Sequence, residues 1–385
     1  MLCGRAQCPL LMKIKIREKL KTTLVNGREL LGESPSVFIG YYGYPKVFIG
    51  PLAGKELVLS DETSSWFGLP IEKILEHRLN LFRGKQAVPI NSAKNPGREL
   101  EAMQEIAMSE KNVSTDVIFK KEPRIEANFS DSAAPYGPSA DTSLVKLESN
   151  PKIPRAVDAV VNDELKSAEG MKILYEKGIA VDKIQSVLSA GLLGIDKKLV
   201  PTRWSITATD DQLGKHLLEK LRGYGTIDDY FLFSSDYLGN HFEILLAPGN
   251  WAFEQIEYYK PRSKSETPAI AADFERYQGR KKYAEIVAGG YYAGRLAVCE
   301  YLERTKKQAT AIIVREIGPE YYAPVGVWQV RENARDAMRS APAKFSSLET
   351  ALEEVGRRFF AGKIWEKKSE ALALLKSRSL WNKYL

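Results

Sequence analysis

Two side chains on one predicted strand have the spacing of an acid–base pair. His241 and Glu243 lie two residues apart in the run GNHFEILL, so a β-strand would place them on the same side. An imidazole beside a carboxylate can transfer protons or hold a metal ion. The chain has only three histidines, and a structural role for His241 is the competing interpretation.

A second polar group comprises Arg203, Asp210 and Asp211. The run TRWSITAT predicts a strand from Thr202 to Thr209, and the following DDQLGKHLLEKLRG predicts a helix. The three charged side chains would then lie at a strand-to-helix junction, where metals and phosphates can bind. The alternative is that the two aspartates cap the helix.

A pair of glycines opens another predicted helix. Backbone N–H groups at Gly289 and Gly290 would be accessible to a phosphate, with Arg280 and Arg295 placed to surround it. The alternative is that the glycines permit close helix packing and that the arginines pair with Glu316, Glu320 and Glu332.

The C-terminal stretch SRSLWNKYL is rich in large apolar side chains. Trp381, Tyr384 and Leu385 stand at i, i+3 and i+4, so one helical turn puts them on one side. Such a cluster of apolar side chains, called the apolar plug below, can insert into a partner's groove. The alternative is a last helix that folds onto the protein's own core.

The cysteines at the N-terminus have a spacing that allows metal binding. Cys3 and Cys8 can supply two ligands to a zinc ion, but structural zinc almost always takes four. The alternative is two surface thiols. Cys299 falls within a helical pattern and is predicted to pack as a small apolar residue.

Composition places the chain among ordinary globular proteins. Its 385 residues are 44% hydrophobic and 27% charged. The net charge of +7 favours a polyanionic partner such as nucleic acid, although solubility explains it as well. Three cysteines exclude a disulfide framework, and the HExxH, P-loop and GxSxG motifs are absent. We see neither a signal peptide nor a membrane-spanning run, so we expect a cytoplasmic protein.

The order of elements favours an α+β fold with a mixed, largely antiparallel sheet and packed helices, because strands and helices do not alternate regularly. Residues 36–52 predict a strand pair or one bent strand, residues 228–260 predict an antiparallel meander, and a long helix is expected at about 290–307. Prolines concentrate between 120 and 155 and predict an extended connection. The predicted parts are a partial zinc-motif segment (1–12), an N-terminal α/β region (13–119), the connection (120–155), a C-terminal α+β domain (156–376) and the tail (377–385).

Several long strings resemble one family. They are SPSVFIGYYGYPKVFIGPL, PTRWSITATDD, YLGNHFEILL, AGGYYAGRLAVCEYLE and VREIGPEYYAPVGVWQVREN. Together they make the chain, from Leu2 to its C-terminus, similar to the archaeal Nre DNA repair proteins. The resemblance implies a zinc motif of two cysteine pairs, the second resembling LCGxxxCP. Cys3 and Cys8 match that second pair, and the first pair is missing, so the implied zinc site is incomplete.

The same resemblance implies a C-terminal motif that binds the sliding clamp PCNA. In that motif Arg378 takes the place of the usual glutamine, and Trp381, Tyr384 and Leu385 supply the apolar plug. The glutamine's hydrogen bond would be lost and the plug kept, so we expect retained but weaker binding.

Three functional hypotheses follow. The first is a DNA repair protein recruited to DNA through PCNA by its C-terminal motif. The second is an enzyme that processes nucleic acid or nucleotides, with a cleft drawn from Arg203, Asp210, Asp211, His241 and Glu243. The third is a non-catalytic adaptor that binds DNA, whose binding would depend on salt.

Overall fold

The computed structural model describes residues 25–55, 57, 59–60, 62–124, 137–261 and 268–381, with side chains as far as Ser377. The described chain forms two compact units. The barrel unit comprises the described residues of 25–213 and Ala323–Gly326, and the sheet unit comprises the described residues of 214–322 and 327–381. The first division between them falls after Leu213. No helix in these described ranges has both the length and the apolar character needed to cross a membrane.

The barrel unit contains five strands and five complete helices among its described residues. The strands are β1 (Glu29–Ile39), β2 (Lys46–Gly54), β3 (Phe82–Pro89), β4 (Val113–Phe119) and β5 (Ser139–Leu147). The helices are α1 (Ile71–Asn80), α2 (Arg98–Met108), α3 (Arg155–Val161), α4 (Ser167–Glu176) and α5 (Val181–Ser189).

These strands close into a barrel in the order β1-β2-β3-β5-β4, because β1 pairs with both β2 and β4. Strands β3 and β5 run parallel and the other neighbours are antiparallel. Helix α2 connects β3 to β4. This order, with a helix at that crossing, is the arrangement of the oligonucleotide/oligosaccharide-binding (OB) fold.

Alternating burial explains the barrel core. In β4, Val113, Thr115, Val117 and Phe119 are buried while their neighbours are not, as expected for a strand with one face inward. The predicted connection at 120–155 supplies β5, whose Thr142 and Val145 are buried. The prolines of this region flank the strand, so they do not remove hydrogen bonds from its ladder with β4.

The sheet unit contains six described strands. They are β6 (Tyr230–Tyr237), β7 (Asn240–Ala247), β8 (Ala252–Tyr259), β9 (Ala269–Glu275), β10 (Thr310–Ile317) and β11 (Ala343–Phe345), and they lie in the order β11-β6-β7-β10-β8-β9. Four further helices are α7 (Gly289–Thr305), α8 (Trp328–Ala337), α9 (Leu348–Arg358) and α10 (Glu370–Trp381). Only β8 and β10 pair in parallel, so the predicted α+β class with a mixed, largely antiparallel sheet is confirmed.

The predicted meander at 228–260 is wrong at one place. Strand β8 does not pair with β7, because β10 inserts between them. All eight residues of β10 are buried, and a strand buried along its whole length is most stable at the centre of the sheet, with a neighbour on each edge.

One face of this sheet carries an apolar core. Leu245, Ile256 and Ile312 pack there against residues of α9 and α10, including Leu352 and Leu372. Helices α7 and α8 pack together and contact β6, β7 and β8.

The predicted strand at Thr202–Thr209 is also wrong. Helix α6 runs without a break from Thr202 to Leu221. The amides of Trp204 and Ser205 donate to the Pro201 carbonyl, so Pro201 stands just before the first helical residue, where its missing N–H removes no intrahelical hydrogen bond. Ser205 and Thr209 are both buried. Burial of one helical face therefore overrides the local β propensity.

Candidate functional site

The His241 pair forms as predicted. His241 Nε2 lies 3.0 Å from Glu243 Oε1, and Nδ1 lies 2.9 Å from Asp236 Oδ1. Glu243 is fully buried and accepts a 2.7 Å hydrogen bond from Ser234 Oγ. Burial disfavours charge on His241, but the hydrogen bonds with Glu243 and Asp236 outweigh it and raise the pKa of the ring. With both ring nitrogens engaged by carboxylates, the arrangement holds a positive charge rather than supplying a base.

Asp210 and Asp211 lie in the middle of α6, not at a helix start. Asp210 is fully buried, and Gln185 Nε2 donates to its Oδ1 at 3.2 Å. Arg203 is exposed in the first turn of the same helix. These three residues belong to the barrel unit, whereas His241 and Glu243 belong to the sheet unit.

The predicted phosphate site lies at the start of α7. Arg280 Nη2 lies 3.0 Å from Asp273 Oδ1, and its other guanidinium nitrogens donate to backbone carbonyls. Arg295 is buried and contacts Glu275 Oε2 at 3.0 Å. Both guanidinium charges are therefore balanced by carboxylates, but the partners are Asp273 and Glu275 rather than the glutamates of the pairing alternative.

The glycines of this helix face β8. A Cβ added to Gly294 would lie 2.2 Å from Gln255 Oε1, and one added to Gly290 would lie 3.2 Å from Glu257 Oε1. Gly289, the first residue of the helix, is half-buried. Small residues on α7 thus allow two polar side chains of β8 to stand against the helix, in keeping with the close-packing alternative.

Sequence reasoning missed the buried polar cluster beside these glycines. Arg315 donates to Glu257 Oε1 at 2.7 Å, to Asn240 Oδ1 at 2.7 and 3.0 Å, and to Gln329 Oε1 at 3.2 Å. The hydroxyl of Tyr259 donates to the other Glu257 oxygen at 2.7 Å. This arrangement buries an ion pair in the interior, and its hydrogen bonds link β7, β8, β10 and α8 to one another.

A signal for this cluster was present in the sequence of β8. Glu254, Gln255 and Glu257 interrupt an otherwise apolar and aromatic run, and charged side chains are rarely buried without partners. Glu254 accepts from the amides of Glu370 and Ala371 at 2.9 and 3.1 Å and so caps α10. In the described residues neither polar atom of the fully buried Gln255 has a hydrogen-bond partner.

Two surface features were also missed. In the sheet unit, Arg276, Arg280, Lys281 and Lys282 line a pocket of about 470 Å³. In the barrel unit, four aromatic rings are exposed close to the β1–β2 loop: Tyr41, Tyr42, Tyr44 and Trp204. Tyr44 and Trp204 contact each other, with ring centroids 5.1 Å apart. Clusters of aromatic residues on a surface usually mark a binding site.

The predicted zinc ligands lie outside the described residues. In the part of the chain that is described, no group of three or more histidine, cysteine or acidic side chains is arranged to hold a metal ion. Cys299 is buried in α7, and burial raises the pKa of its thiol. Cys3 and Cys8 are then the remaining cysteines, so the donor set of this chain does not fit a four-cysteine zinc site.

The tail is described only in part. Tyr384 and Leu385 lie outside the described residues, and for Arg378 and Trp381 only the helical backbone is described. The last described side chains belong to α10, where Ala371, Leu372 and Leu375 are buried.

Comparison with known proteins gives matches over both halves of the chain. The family model described as archaeal Nre, N-terminal, matches residues 2–265, and that described as archaeal Nre, C-terminal, matches residues 275–384. The DNA repair protein NreB of Archaeoglobus fulgidus is 38% identical over 391 residues, covering 99% of this chain and 97% of that protein. The DNA repair protein NreA of the same organism is 38% identical over 362 residues, covering 93% of this chain and 91% of that protein.

A third relative is the DNA repair protein NreA of Haloferax volcanii, which is 36% identical over 341 residues, covering 84% of this chain and 81% of that protein. No solved structure matches the chain.

Proposed function

Since the chain belongs to the archaeal Nre family, we propose that it is a cytoplasmic DNA repair protein delivered to DNA by the sliding clamp PCNA. The segment that binds the clamp is the tail, residues 377–385. The repair role rests on the relatives, which are named DNA repair proteins. The clamp role rests on the spacing of Trp381, Tyr384 and Leu385.

The course of α10 is the observation that carries the proposal. Ala371, Leu372 and Leu375 are buried in the apolar core of the sheet unit, whereas Lys376 and Ser377 are exposed. The helical backbone continues to Trp381. Six residues of α-helix turn through about 600°, so position 381 lies about 120° around the axis from Leu375. At its last described position the helical backbone has therefore turned away from the face that closes the core.

The proposed mode is an apolar plug in a groove on the clamp. Bulky aromatic side chains dominate the energy of such contacts. Arg378 replaces a glutamine side chain that would donate and accept hydrogen bonds, so a net contribution of about 1 kcal/mol is absent. Binding is therefore weaker than that of a tail with glutamine at this position.

We propose no reaction for the protein. The enzyme hypothesis needs a base or a nucleophile with an open position. His241 is engaged by two carboxylates, and Asp210 is buried against Gln185. These contacts favour structural roles for both residues.

Calorimetric titration of the full chain into an archaeal PCNA tests the proposal. Deleting residues 377–385 should abolish binding, and Trp381→Ala should weaken it by roughly 30-fold or more, as for an interface hot spot. Arg378→Gln should tighten binding by about fivefold, the effect of one net hydrogen bond. Undiminished binding by the truncated chain would refute the clamp role.

A further inference from the structure

The barrel unit has the architecture of a fold that binds single strands. Its five strands close in the OB order, with β3 and β5 parallel and α2 between β3 and β4. In this fold the outer face of β2 and β3, together with the β1–β2 loop, forms the ligand-binding surface. We propose that this surface of the barrel unit binds single-stranded DNA.

The outer face of these strands combines aromatic and cationic side chains. Phe38 on β1 and Phe48 on β2 are partly exposed, whereas the residues on either side of each are buried. The same alternation turns Arg83 outward on β3, next to the buried Phe82. The Arg83 guanidinium lies 4.4 Å from the centroid of the Phe38 ring. A flat cation over a ring can extend a stack of bases.

Charge on the two strands is of one sign. Lys46, Arg83 and Lys85 are the only charged residues of β2 and β3, which contain no aspartate or glutamate. Lys46 is exposed where β2 begins. This face is therefore complementary to a phosphate backbone, whose neutralisation supplies most of the non-specific affinity for nucleic acid.

The β1–β2 loop, with Trp204 beside it, supplies the exposed rings on which bases can stack, called the aromatic platform below. Tyr41, Tyr42 and Tyr44 are 54%, 80% and 49% exposed, and Trp204 is 44% exposed. Trp204 is held near them because the Ile39 amide donates to Thr202 Oγ1 at 2.9 Å, which fixes the first turn of α6 against the end of β1. Every base has a flat apolar face, so such rings bind single strands with little regard to sequence.

Duplex DNA fits this surface less well. Its bases are already stacked on one another, so they cannot lie on exposed rings without unpairing. A single strand offers both stacked bases and a backbone that can follow the cations of β2 and β3. The choice of DNA over RNA rests on the repair role proposed above.

Fluorescence anisotropy with the full chain and a labelled poly-dT of about 15 nucleotides, a length typical of one or two OB sites, tests the inference. The single strand should bind more tightly than a duplex of equal length. Tyr41→Ala and Tyr42→Ala should each lower affinity on the order of tenfold, the usual effect of losing one base-stacking ring. Tyr42→Trp should retain affinity, because it keeps a stacking face.

Further variants separate stacking from charge. Lys46→Ala should weaken binding equally for all sequences and reduce the salt slope by about 0.7, the value for one phosphate contact on a single strand. Phe360→Ala is the matched control, because Phe360 is 71% exposed and belongs to the sheet unit. The affinity of the Phe360→Ala variant for the single strand should equal that of the wild type.

The inference is overturned if the single strand does not bind, if duplex or poly-U RNA binds more tightly, or if the tyrosine variants bind as well as Phe360→Ala. The same proteins titrated with PCNA distinguish this result from failure of the clamp role. The tyrosine variants should bind the clamp normally, and the chain lacking residues 377–385 should bind the single strand normally.

Discussion

Replacing Arg315 by methionine should destabilise the sheet unit by about 3–5 kcal/mol. The change leaves the Glu257 carboxylate, whose side chain is 6% exposed, buried without its guanidinium partner. It also removes both hydrogen bonds to Asn240 Oδ1 and one to Gln329. Breaking a buried pair from one side costs this much because the remaining charge has lost its solvation and its partner.

The double variant Arg315→Met/Glu257→Met identifies the cause. It removes both charges, so it should be less destabilised than the sum of the two single variants, with a coupling of about 0.5–3 kcal/mol. It should not regain wild-type stability, since the Asn240 oxygen stays buried without its donor, at a cost of about 1–3 kcal/mol.

Urea denaturation followed by tryptophan fluorescence measures these effects, because Trp251 and Trp365 are fully buried in the sheet unit. Arg357→Met is the control. Arg357 is 74% exposed and pairs with Glu354 at 2.6 Å, and such a surface pair contributes at most about 1 kcal/mol. If Arg315→Met costs no more than this control, the buried pair described here does not exist in solution.

Two histidines should give opposite pH dependences. The pKa of His241 is raised in the folded protein, so its ion pairs stabilise the fold fully below the unfolded value near 6.5, and this stabilisation is lost as pH rises through the folded pKa. Urea midpoints measured from pH 5 to 9 should show this loss, and His241→Asn should abolish it. Burial, and then the charge of Arg78, lowers the pKa of His77 to about 4. His77 should therefore favour the fold above pH 6.5 and destabilise the barrel unit between pH 6.5 and 4; an NMR titration that gives its ring an ordinary pKa would contradict this.

Local sequence patterns predicted those elements in which the tertiary environment favours the same secondary structure as the local sequence. Helix α7 was expected at about 290–307 and is observed at Gly289–Thr305. Helix α6 was missed since Trp204, Ile206 and the threonines favour a strand locally, while the helix depends on burial of Ser205 and Thr209 by the rest of the barrel unit. Strand β5 was missed because prolines flank it and its sequence, SADTSLVKL, does not alternate between apolar and polar residues.

Pairing across the chain could not be predicted at all. The place of β10 between β7 and β8 depends on contacts between segments distant in sequence. The Arg315 cluster is assembled from β7, β8, β10 and α8 in the same way, so no spacing of residues encodes it. Only the unusual polar residues of β8 indicated that partners must exist.

The two proposed binding sites, the tail and the aromatic surface of the barrel unit, differ in how much of their geometry the local sequence contains. The tail needs a single helical turn, so the spacing of Trp381, Tyr384 and Leu385 contains all of its geometry. The aromatic platform needs Tyr44 and Trp204 in contact, and these residues come from a strand loop and a helix far apart in the chain. In the sequence the tyrosines mark only a turn between two strands. They become a nucleic-acid surface only once β1 to β5 have closed, because closure brings the cations of β2 and β3 and the exposed rings onto one barrel. The repair function is therefore expected to depend on folding of the barrel unit even where the tail alone suffices for clamp binding, and a peptide of residues 377–385 should bind PCNA but not single-stranded DNA.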